Sequence, residues 1–378
     1  MSALRVLHLH SSFNPGDKEL RAAQLMNAFG TGIEHTVVSA EPESLGAASA
    51  VDRRIDVAYP TDFPALAGTP TPARLQRLAR AMADFDLVLT YNWGAMDAVL
   101  AHTVFSRAYR LPPLVHHEDG FNSDEADRLK RSRNWYRRIA LGRTSALIVP
   151  SQRLRSIALD AWQQPPSRVK LVLNGINTPA YAKTPGAGAL PRVIKRKGER
   201  WLGTLAGLRT VKDLPRLVRA FSVLPDEWQL VILGEGPERE AIRAEALRLD
   251  VAHRVHLPGF IANPAGAVGL FDLFALSSQS EQFPISVVEA MAAGLAVVAP
   301  AVGDVADMVA AENRPYISAA GDEGGLVANL VTLASDKALR ARIGAANMAR
   351  ARAEYDEKTM IARYSAIYAR ALRRSSFP

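Results

Sequence analysis

Two carboxylates, Glu281 and Glu289, stand eight positions apart in the stretch SSQSEQFPISVVEAMAAGLAVVAPAVGDV, residues 277–305. Between them lies Phe283-Pro284-Ile285. The apolar run LFALSS (273–278) reads as a buried strand, and Pro284 is pre-shaped for a first helical turn. A helix beginning there leaves the N–H groups of Ile285 and Ser286 without intrahelical partners. Its start carries roughly half a positive charge and suits a phosphate. Carboxylates repel a phosphate but accept strongly from paired hydroxyls. Glu289, one turn inside the helix, then suits a diol such as a ribose, and Glu281, in the loop, suits hydroxyls of a neighbouring sugar. Acidic residues that merely complement the helix dipole would show the same spacing, so both readings stand on spacing alone.

Such a helix start needs a parallel sheet behind it. Short apolar runs alternate with helical spacing throughout the chain. LRVLHLH (4–10), HTVVSA (35–40), FDLVLTY (85–91), PLVHH (113–117) and ALIVP (146–150) read as buried parallel strands, with helices over 18–30, 74–85 and 124–142 between them. The stretch 178–200, rich in proline, glycine and charge, interrupts this pattern. It restarts with WLGTLAG (201–207), WQLVILG (228–234), VHLPG (255–259), LFALSS and LAVVAP (295–300), with helices over 214–224, 237–249 and 285–293. The expectation is an α/β protein of two doubly wound domains, 1–177 and 201–355, joined by a linker region at 178–200. The final helix, within 356–378, is expected to fold back on the first domain.

Composition narrows the function. The chain has 378 residues and no cysteine, which removes disulfides and thiolate chemistry and fits a reducing cytosol. The opening MSALRVLHLH runs directly into a strand pattern, so no secretory leader is expected. The longest uncharged apolar stretch, 290–302, is short of the roughly 18–20 residues that span a bilayer. Net charge is +8, and residues 1–180 and 181–378 each carry +4, so the basicity is spread along the chain. That balance suits a phosphorylated substrate, an anionic membrane or a nucleic acid without choosing among them. No Gly-x-Gly-x-x-Gly follows the first strand, which argues against a nicotinamide dehydrogenase. No nucleic-acid-binding module is present, and no nucleic-acid partner is expected.

The segment SEQFPISVVEAMAAGLAVVAPAVGDV resembles the donor-site signature of the retaining glycosyltransferases of the GT-B fold, family 4: Glu-x7-Glu with Phe-Pro after the first glutamate, then Glu-Ala-Met-Ala and a Gly-x-Ala-Val-Val strand. GTLAGLRTVKDLPRLVRAF is similar to the family's phosphate-binding turn, VILGEGPERE to its strand and turn, and VHLPGF to its nucleotide-base loop. The resemblance implies two Rossmann-like domains facing a central cleft and a nucleotide-diphosphate sugar as donor. It implies that Glu289 holds the ribose, that Glu281 and the backbone of Phe283, Pro284 and Ile285 hold the transferred sugar and diphosphate, and that Lys212 neutralises the diphosphate. Gly234, in the strand-and-turn match, falls in the donor site. The family usually has arginine where this chain has Gly207, and Arg209, two residues on, is the candidate replacement. Gln282 stands where the family often has glycine.

In the first half, SSFNPGDKELRAAQL resembles the family's glycine-rich loop, although only Gly16 of the usual pair is present. Arg21 is the polar residue expected in the acceptor crevice. An ordinary strand–helix loop would look much the same. Family members end the strand matching PPLVHHEDGF with a histidine near the reacting carbon; here the position before Gly120 is Asp119. His117 lies two residues earlier and shares its strand face, so Asp119 and His117 are the catalytic candidates, alongside Glu281. His116 fits a core position. Metal binding by His8, His10, His116 and His117 lacks carboxylates at ligand spacing.

The resemblance implies configuration-retaining transfer of a sugar to a hydroxyl, without a metal, in cell-surface polysaccharide or glycolipid synthesis. No cofactor is expected. A second reading, motivated by Gly207 and Asp119, is a catalytically weak nucleotide-sugar-binding or scaffold protein. The basic stretch RLKRSRNWYRRIALGR (128–143), with Trp135 and Tyr136, suits either a solvated helix face or an anionic membrane surface. The expected location is cytoplasmic, peripheral at the inner face of the membrane, with a glycan or lipid-linked acceptor.

Overall fold

The computed structural model describes residues 3–120, 129–183 and 185–378. The chain divides into two compact units, Met1–Leu173 with Ile361–Pro378 and Asn174–Met360.

In the first unit the strands are β1 (Leu4–His10), β2 (Ile33–Ser39), β3 (Asp56–Ala58), β4 (Leu87–Tyr91), β5 (Leu114–His117), β6 (Ala146–Val149) and β7 (Val169–Leu171). All pair in parallel, in the order β3-β2-β1-β4-β5-β6-β7. The helices between them are α1 (Asp17–Phe29), α2 (Pro72–Met82), α3 (Met96–Phe105), α4 (Arg131–Ala140) and α5 (Gln152–Asp160). Local chemistry sets their starts: Thr71 Oγ1 caps α2 ahead of Pro72, and Ser151 Oγ accepts from Leu154 N at 3.1 Å to cap α5. Leu7, Leu9, Val88, Leu114 and Leu147 on the strands bury against Leu78, Met82, Val99 and Leu154 on the helices. Residues 124–128 of the helix expected over 124–142 lie outside the described residues, and the described helix α4 spans Arg131–Ala140.

The second unit opens with a short helix, α6 (Thr178–Tyr181). Its strands are β8 (Arg200–Leu205), β9 (Trp228–Leu233), β10 (Val255–Gly259), β11 (Leu273–Ala275), β12 (Val297–Pro300) and β13 (Ile317–Ser318), in the order β10-β9-β8-β11-β12-β13. Helices α7 (Leu214–Ser222), α8 (Arg239–Arg248), α9 (Ile285–Ala292), α10 (Val305–Met308), α11 (Glu323–Ser335), α12 (Lys337–Glu354) and α13 (Glu357–Ala371) complete the chain. Described residues at both ends of the stretch 178–200 are anchored on this unit. Tyr181 is buried, and Lys195 Nζ donates to Leu270 O and Asp272 Oδ2, each at 2.6 Å. The boundary with the second unit falls at Asn174, and within α13 at Ile361.

Each sheet reverses its winding once, at β1/β4 in the first unit and at β8/β11 in the second. The carboxyl ends at such a switch point leave a crevice where ligands bind in this class of fold. In the second unit a buried polar cluster fixes the strand beside that crevice. Asn313 Oδ1 accepts from Val297 N at 2.8 Å, Asn313 Nδ2 donates to Val297 O at 2.7 Å, and Asn347 Nδ2 donates to Asn313 Oδ1 at 2.7 Å. The Asn313 amide thus pairs with β12 as a neighbouring strand residue would. Asn313→Ala strands the N–H and C=O of Val297 and takes one of the two bonds of Asn347 Nδ2, which keeps Leu295 O, and chemical denaturation should show a loss of about 2–3 kcal/mol; a loss below about 1 kcal/mol would mean that water replaces the amide.

Candidate functional site

In the second unit, the turn leaving β8 and the loop leaving β11 converge at the switch point. The β8 turn runs through Arg209 and Lys212 to Asp213, whose left-handed backbone (φ 46°) starts α7. Ser277 Oγ donates to Lys212 O at 2.9 Å, Gln279 N donates to Val211 O at 2.9 Å, and Gln279 Nε2 reaches Asp213 Oδ2 at 3.3 Å. Lys212 Nζ then lies 2.5 Å from Glu281 Oε1, which also accepts from Ser278 Oγ at 2.7 Å. Both charged side chains are largely shielded, with 16% and 9% exposure, so the pair is held out of bulk water.

Helix α9 starts at Ile285 behind Pro284, with no side-chain cap and no acidic residue in its first turn. Its start therefore keeps its positive character. Ile285, Ser286 and Glu289 are the partly exposed residues of its first turns, while Val287 and Val288 are buried. Tyr181 Oη donates to Glu289 Oε1 at 2.6 Å. Burial, reinforced by the Glu289 charge, pushes the Tyr181 phenol well above its usual range, so this hydroxyl is a fixed donor.

Two glycines explain how the turns approach so closely. At Gly234 (φ 146°) a Cβ would fall 1.9 Å from Ala206 O, so its role is to let the β8 turn cross the end of β9. At Gly303 (φ 57°) a Cβ would fall 2.5 Å from Glu281 O, so this glycine lets the Glu281–Gln282 loop fold down. Arg209 is exposed, and its Nε lies 3.5 Å from where a Cβ on Gly207 would sit. The guanidinium from position 209 thus occupies the space above Gly207.

The first unit carries a second cluster at its own switch point. Arg21, on α1, pairs with Asp119 at 2.7 Å, and its guanidinium lies 5.8 Å from the Tyr364 ring centroid. Asp119 N donates to Asn92 Oδ1 at 2.7 Å, and Asn92 itself has left-handed backbone (φ 53°). Burial pushes the Asp119 carboxyl up, but the Arg21 guanidinium more than compensates and holds it below the usual range. Gly16 stands just ahead of α1, in extended backbone, where a Cβ would fall 2.7 Å from Glu19 Oε2.

His117 shares the Asp119 face but is fully buried, which corrects the expectation that both line a ligand site. Its Nδ1 bonds Thr90 O at 3.1 Å and its Nε2 bonds Tyr368 Oη at 2.9 Å, so both ring nitrogens are used inside the fold. Its ring stacks 4.5 Å from Tyr91, whose other face stacks 4.0 Å from His10. Burial, with the Arg21 charge, lowers the His117 value to about 3. His117 is therefore a neutral support behind Asp119. His116 points to the opposite face, bonding Thr90 Oγ1 at 2.8 Å.

The basic helix α4 is also partly spent on the fold. Arg137 is fully buried, 3.2 Å from Glu118 and stacked over Trp93 and Trp162. Arg131, Trp135, Arg138 and Ile139 remain exposed. Residue 128 of this stretch lies outside the described residues. Among those described, no helix is long and apolar enough to cross a membrane, and no group of three or more His, Asp or Glu is arranged to hold a metal ion.

Sequence reasoning missed Ser278, Tyr181, Asn92 and Gly303. Ser278 closes the quoted strand run and could have been found there; Tyr181 sits in a stretch taken for a linker and carries no local signal.

The model of the family described as glycosyl transferases group 1 matches residues 191–350, and that of glycosyltransferase family 4 matches 21–179. The N-acetyl-alpha-D-glucosaminyl L-malate synthase of Bacillus anthracis is 25% identical over 212 residues, 56% of each chain. The lipopolysaccharide core biosynthesis glycosyltransferase LpsD of Rhizobium meliloti is 28% identical over 47% of this chain and 48% of its own. The chain thus spans about half the length of these curated relatives. Among solved structures, Anabaena HepE in complex with UDP superposes with a TM-score of 0.80 at 21% identity, over 97% of this chain and all of that one. Sucrose-phosphate synthase from Thermosynechococcus elongatus gives 0.72 at 18% identity, over 98% and 99%. At these identities the likeness is one of fold.

The buried imidazoles set a pH dependence. An unfolded chain protonates His117 below about pH 6.5, whereas the folded chain resists until about 3. Stability is therefore full above about pH 6.5 and falls as pH drops through that window. His117 alone should remove about 2 kcal/mol between about pH 7 and about pH 5. Denaturant titrations of the wild type and His117→Gln at both pH values should show the acid loss shrinking by that amount; equal losses would mean that His117 is accessible to protons in the fold.

Proposed function

The chain belongs to the group 1 and family 4 glycosyltransferases, with two α/β units of the GT-B type, and on that premise we propose that it moves a sugar from a nucleotide-diphosphate sugar to a hydroxyl acceptor with retention of configuration. The observation that carries this reading is the convergence of Lys212 and Glu281, 2.5 Å apart, with the uncapped start of α9 and Glu289 one turn further on. The relative named for lipopolysaccharide core biosynthesis supports an acceptor in polysaccharide or glycolipid synthesis. Anabaena HepE, solved with UDP and with UDP-glucose, supports the donor class.

The chemistry follows from where charge must go. Departure of a nucleoside diphosphate leaves negative charge on its outer phosphate and positive charge on the sugar ring. Lys212, Arg209 and the N–H groups at Ile285 and Ser286 stabilise the first, without a metal ion. Glu289, oriented by Tyr181, accepts from the ribose hydroxyls, and Glu281 accepts from the transferred sugar. The acceptor hydroxyl gives its proton to the departing phosphate oxygen. In the first unit Asp119 remains ionised at neutral pH, because Arg21 lies against it, and is a hydrogen-bond acceptor for a hydroxyl rather than a strong base.

Two substitutions separate the roles. Glu289→Gln should weaken binding of the donor about tenfold or more, by removing a charge-assisted bond, with a smaller change in turnover. Glu281→Ala should slow turnover by about a hundredfold with a smaller change in donor affinity. The donor is first identified by thermal shift across nucleotide diphosphates and their sugars. Unchanged kinetics in both variants would end the assignment, and donor binding without hydrolysis or transfer would leave a scaffold.

Exposed Arg131, Trp135, Arg138 and Ile139 supply the apolar and cationic stripe through which the protein lies on an anionic leaflet. Arg131→Ser/Arg138→Ser should release the protein from liposomes containing phosphatidylglycerol while leaving the Arg137–Glu118 pair intact. Equal partition of variant and wild type would refute membrane docking here.

A further inference from the structure

A groove of about 750 Å3 opens in the first unit, away from both clusters described above. One wall is made by the amino ends of three strands: Pro113 and Ser145 immediately precede β5 and β6, and Ser167 precedes β7. The other wall is the last turn of α13 and the residues that follow it. Asp119 lies beyond the carboxyl end of β5, six residues from Pro113, and extended chain of that length spans roughly 20 Å. The groove and the Arg21–Asp119 cluster therefore sit at opposite ends of the sheet.

Its charge is one-sided. Lys170, Arg370 and Arg373 line it, and no acidic residue does. None of these three side chains has a hydrogen bond or ion pair with a described residue, whereas in the second unit Arg219, Arg243, Arg248 and Arg350 each have a glutamate partner. Cations at the end of α13 complement its dipole, but that does not account for Lys170, which comes from β7. Arg373 adopts left-handed backbone (φ 56°), where glycine would be unstrained. What an arginine adds at that turn is its guanidinium at the groove.

The rest of the lining differs. Leu111, Ile367 and Leu372 form an apolar part, and the exposed hydroxyls of Ser145 and Ser167 lie at the strand ends. One inorganic phosphate would satisfy the cations and leave most of the volume and the apolar wall uncovered. We propose that this groove binds an amphiphile bearing a phosphate: its anionic head meets Lys170, Arg370 and Arg373, Ser145 and Ser167 donate to the head, and its apolar body lies along Leu111, Ile367 and Leu372. The proposal is independent of glycosyl transfer and is read by binding alone.

The test is calorimetric titration of the full chain with hexyl phosphate. Saturable binding at one site is expected, weakened about tenfold or more by Lys170→Ser/Arg370→Ser/Arg373→Ser. These side chains are exposed or partly exposed, so the variant should keep the wild-type circular dichroism spectrum. Lys197→Ser/Arg342→Ser/Lys358→Ser removes the same charge elsewhere and should bind as the wild type does. Parallel titrations with inorganic phosphate and with hexanol should both be weaker than with hexyl phosphate. Sedimentation with vesicles of phosphatidylglycerol and phosphatidylcholine, carried out in an Arg131→Ser/Arg138→Ser background that lacks the α4 contact, separates the sources: binding lost on adding the groove substitutions points to a lipid head, and hexyl phosphate binding without vesicle binding points to a soluble phosphate. Equal losses in both variants, inorganic phosphate matching hexyl phosphate, or vesicle binding with no hexyl phosphate binding would each overturn the proposal.

Discussion

The geometry of the second-unit site depends on a backbone strap between two turns that are far apart in sequence. The β8 turn and the β11 loop are separated by more than sixty residues, yet Ser277, Gln279 and Glu281 bond successively along 211–213. The sheet makes this possible, because β8 and β11 are neighbours at the point where winding reverses. Gly234 and Gly303 make it close, since a Cβ at either position would strike the backbone of a turn. Lys212 and the start of α9 are two separately weak sources of positive charge. The strap holds Lys212 against Glu281, four residues ahead of Ile285, and the low exposure of that pair makes its attraction stronger than it would be in water.

The first unit solves the converse problem, holding an anion in place. Asp119 follows a strand whose side chains alternate between faces, and that alternation puts His116 with Glu118 and His117 with Asp119. Arg21 compensates the charge, Asn92 fixes the backbone, and a column of His10, Tyr91 and His117 rings packs beneath. Breaking one partner of such a shielded ion pair costs about 3–5 kcal/mol, so the carboxylate is held firmly in place. A rigid, ionised acceptor of this kind orients hydroxyls well and takes protons poorly.

Much of this architecture was legible as pattern. Alternating apolar runs located most of the strands, and Pro284 marked the start of α9 to the residue. Short edge elements escaped, because β3, with three residues, and β13, with two, are too brief to show a period. The stretch 178–200 read as a linker because proline, glycine and charge dominate it; Tyr181 and Lys195, which anchor it, bind partners 75 residues or more away. His117 was misplaced for a related reason. Strand alternation gives the face a side chain occupies but not the depth of cover over that face, and here Tyr364 and Tyr368 from the far end of the chain supply the cover.

The Lys212–Glu281 pair has a further consequence for the proposed chemistry. With no donor present, each charge compensates the other, so neither is buried unpaired. A diphosphate carries more negative charge than one carboxylate and competes for Lys212, and the carboxylate relieved of that partner keeps Ser278 and gains capacity for a sugar hydroxyl. Donor binding then exchanges one ion pair for two new interactions, with little desolvation beyond what the fold has already imposed. Negative charge on the leaving phosphate grows as the glycosidic bond breaks, so the contact to Lys212 strengthens toward the transition state, whereas that to the ribose through Glu289 stays constant. In the proposed mechanism the two glutamates would therefore divide the work by distance from the bond that breaks: Glu289 would contribute uniform binding, and Glu281 with its lysine binding that rises with the reaction.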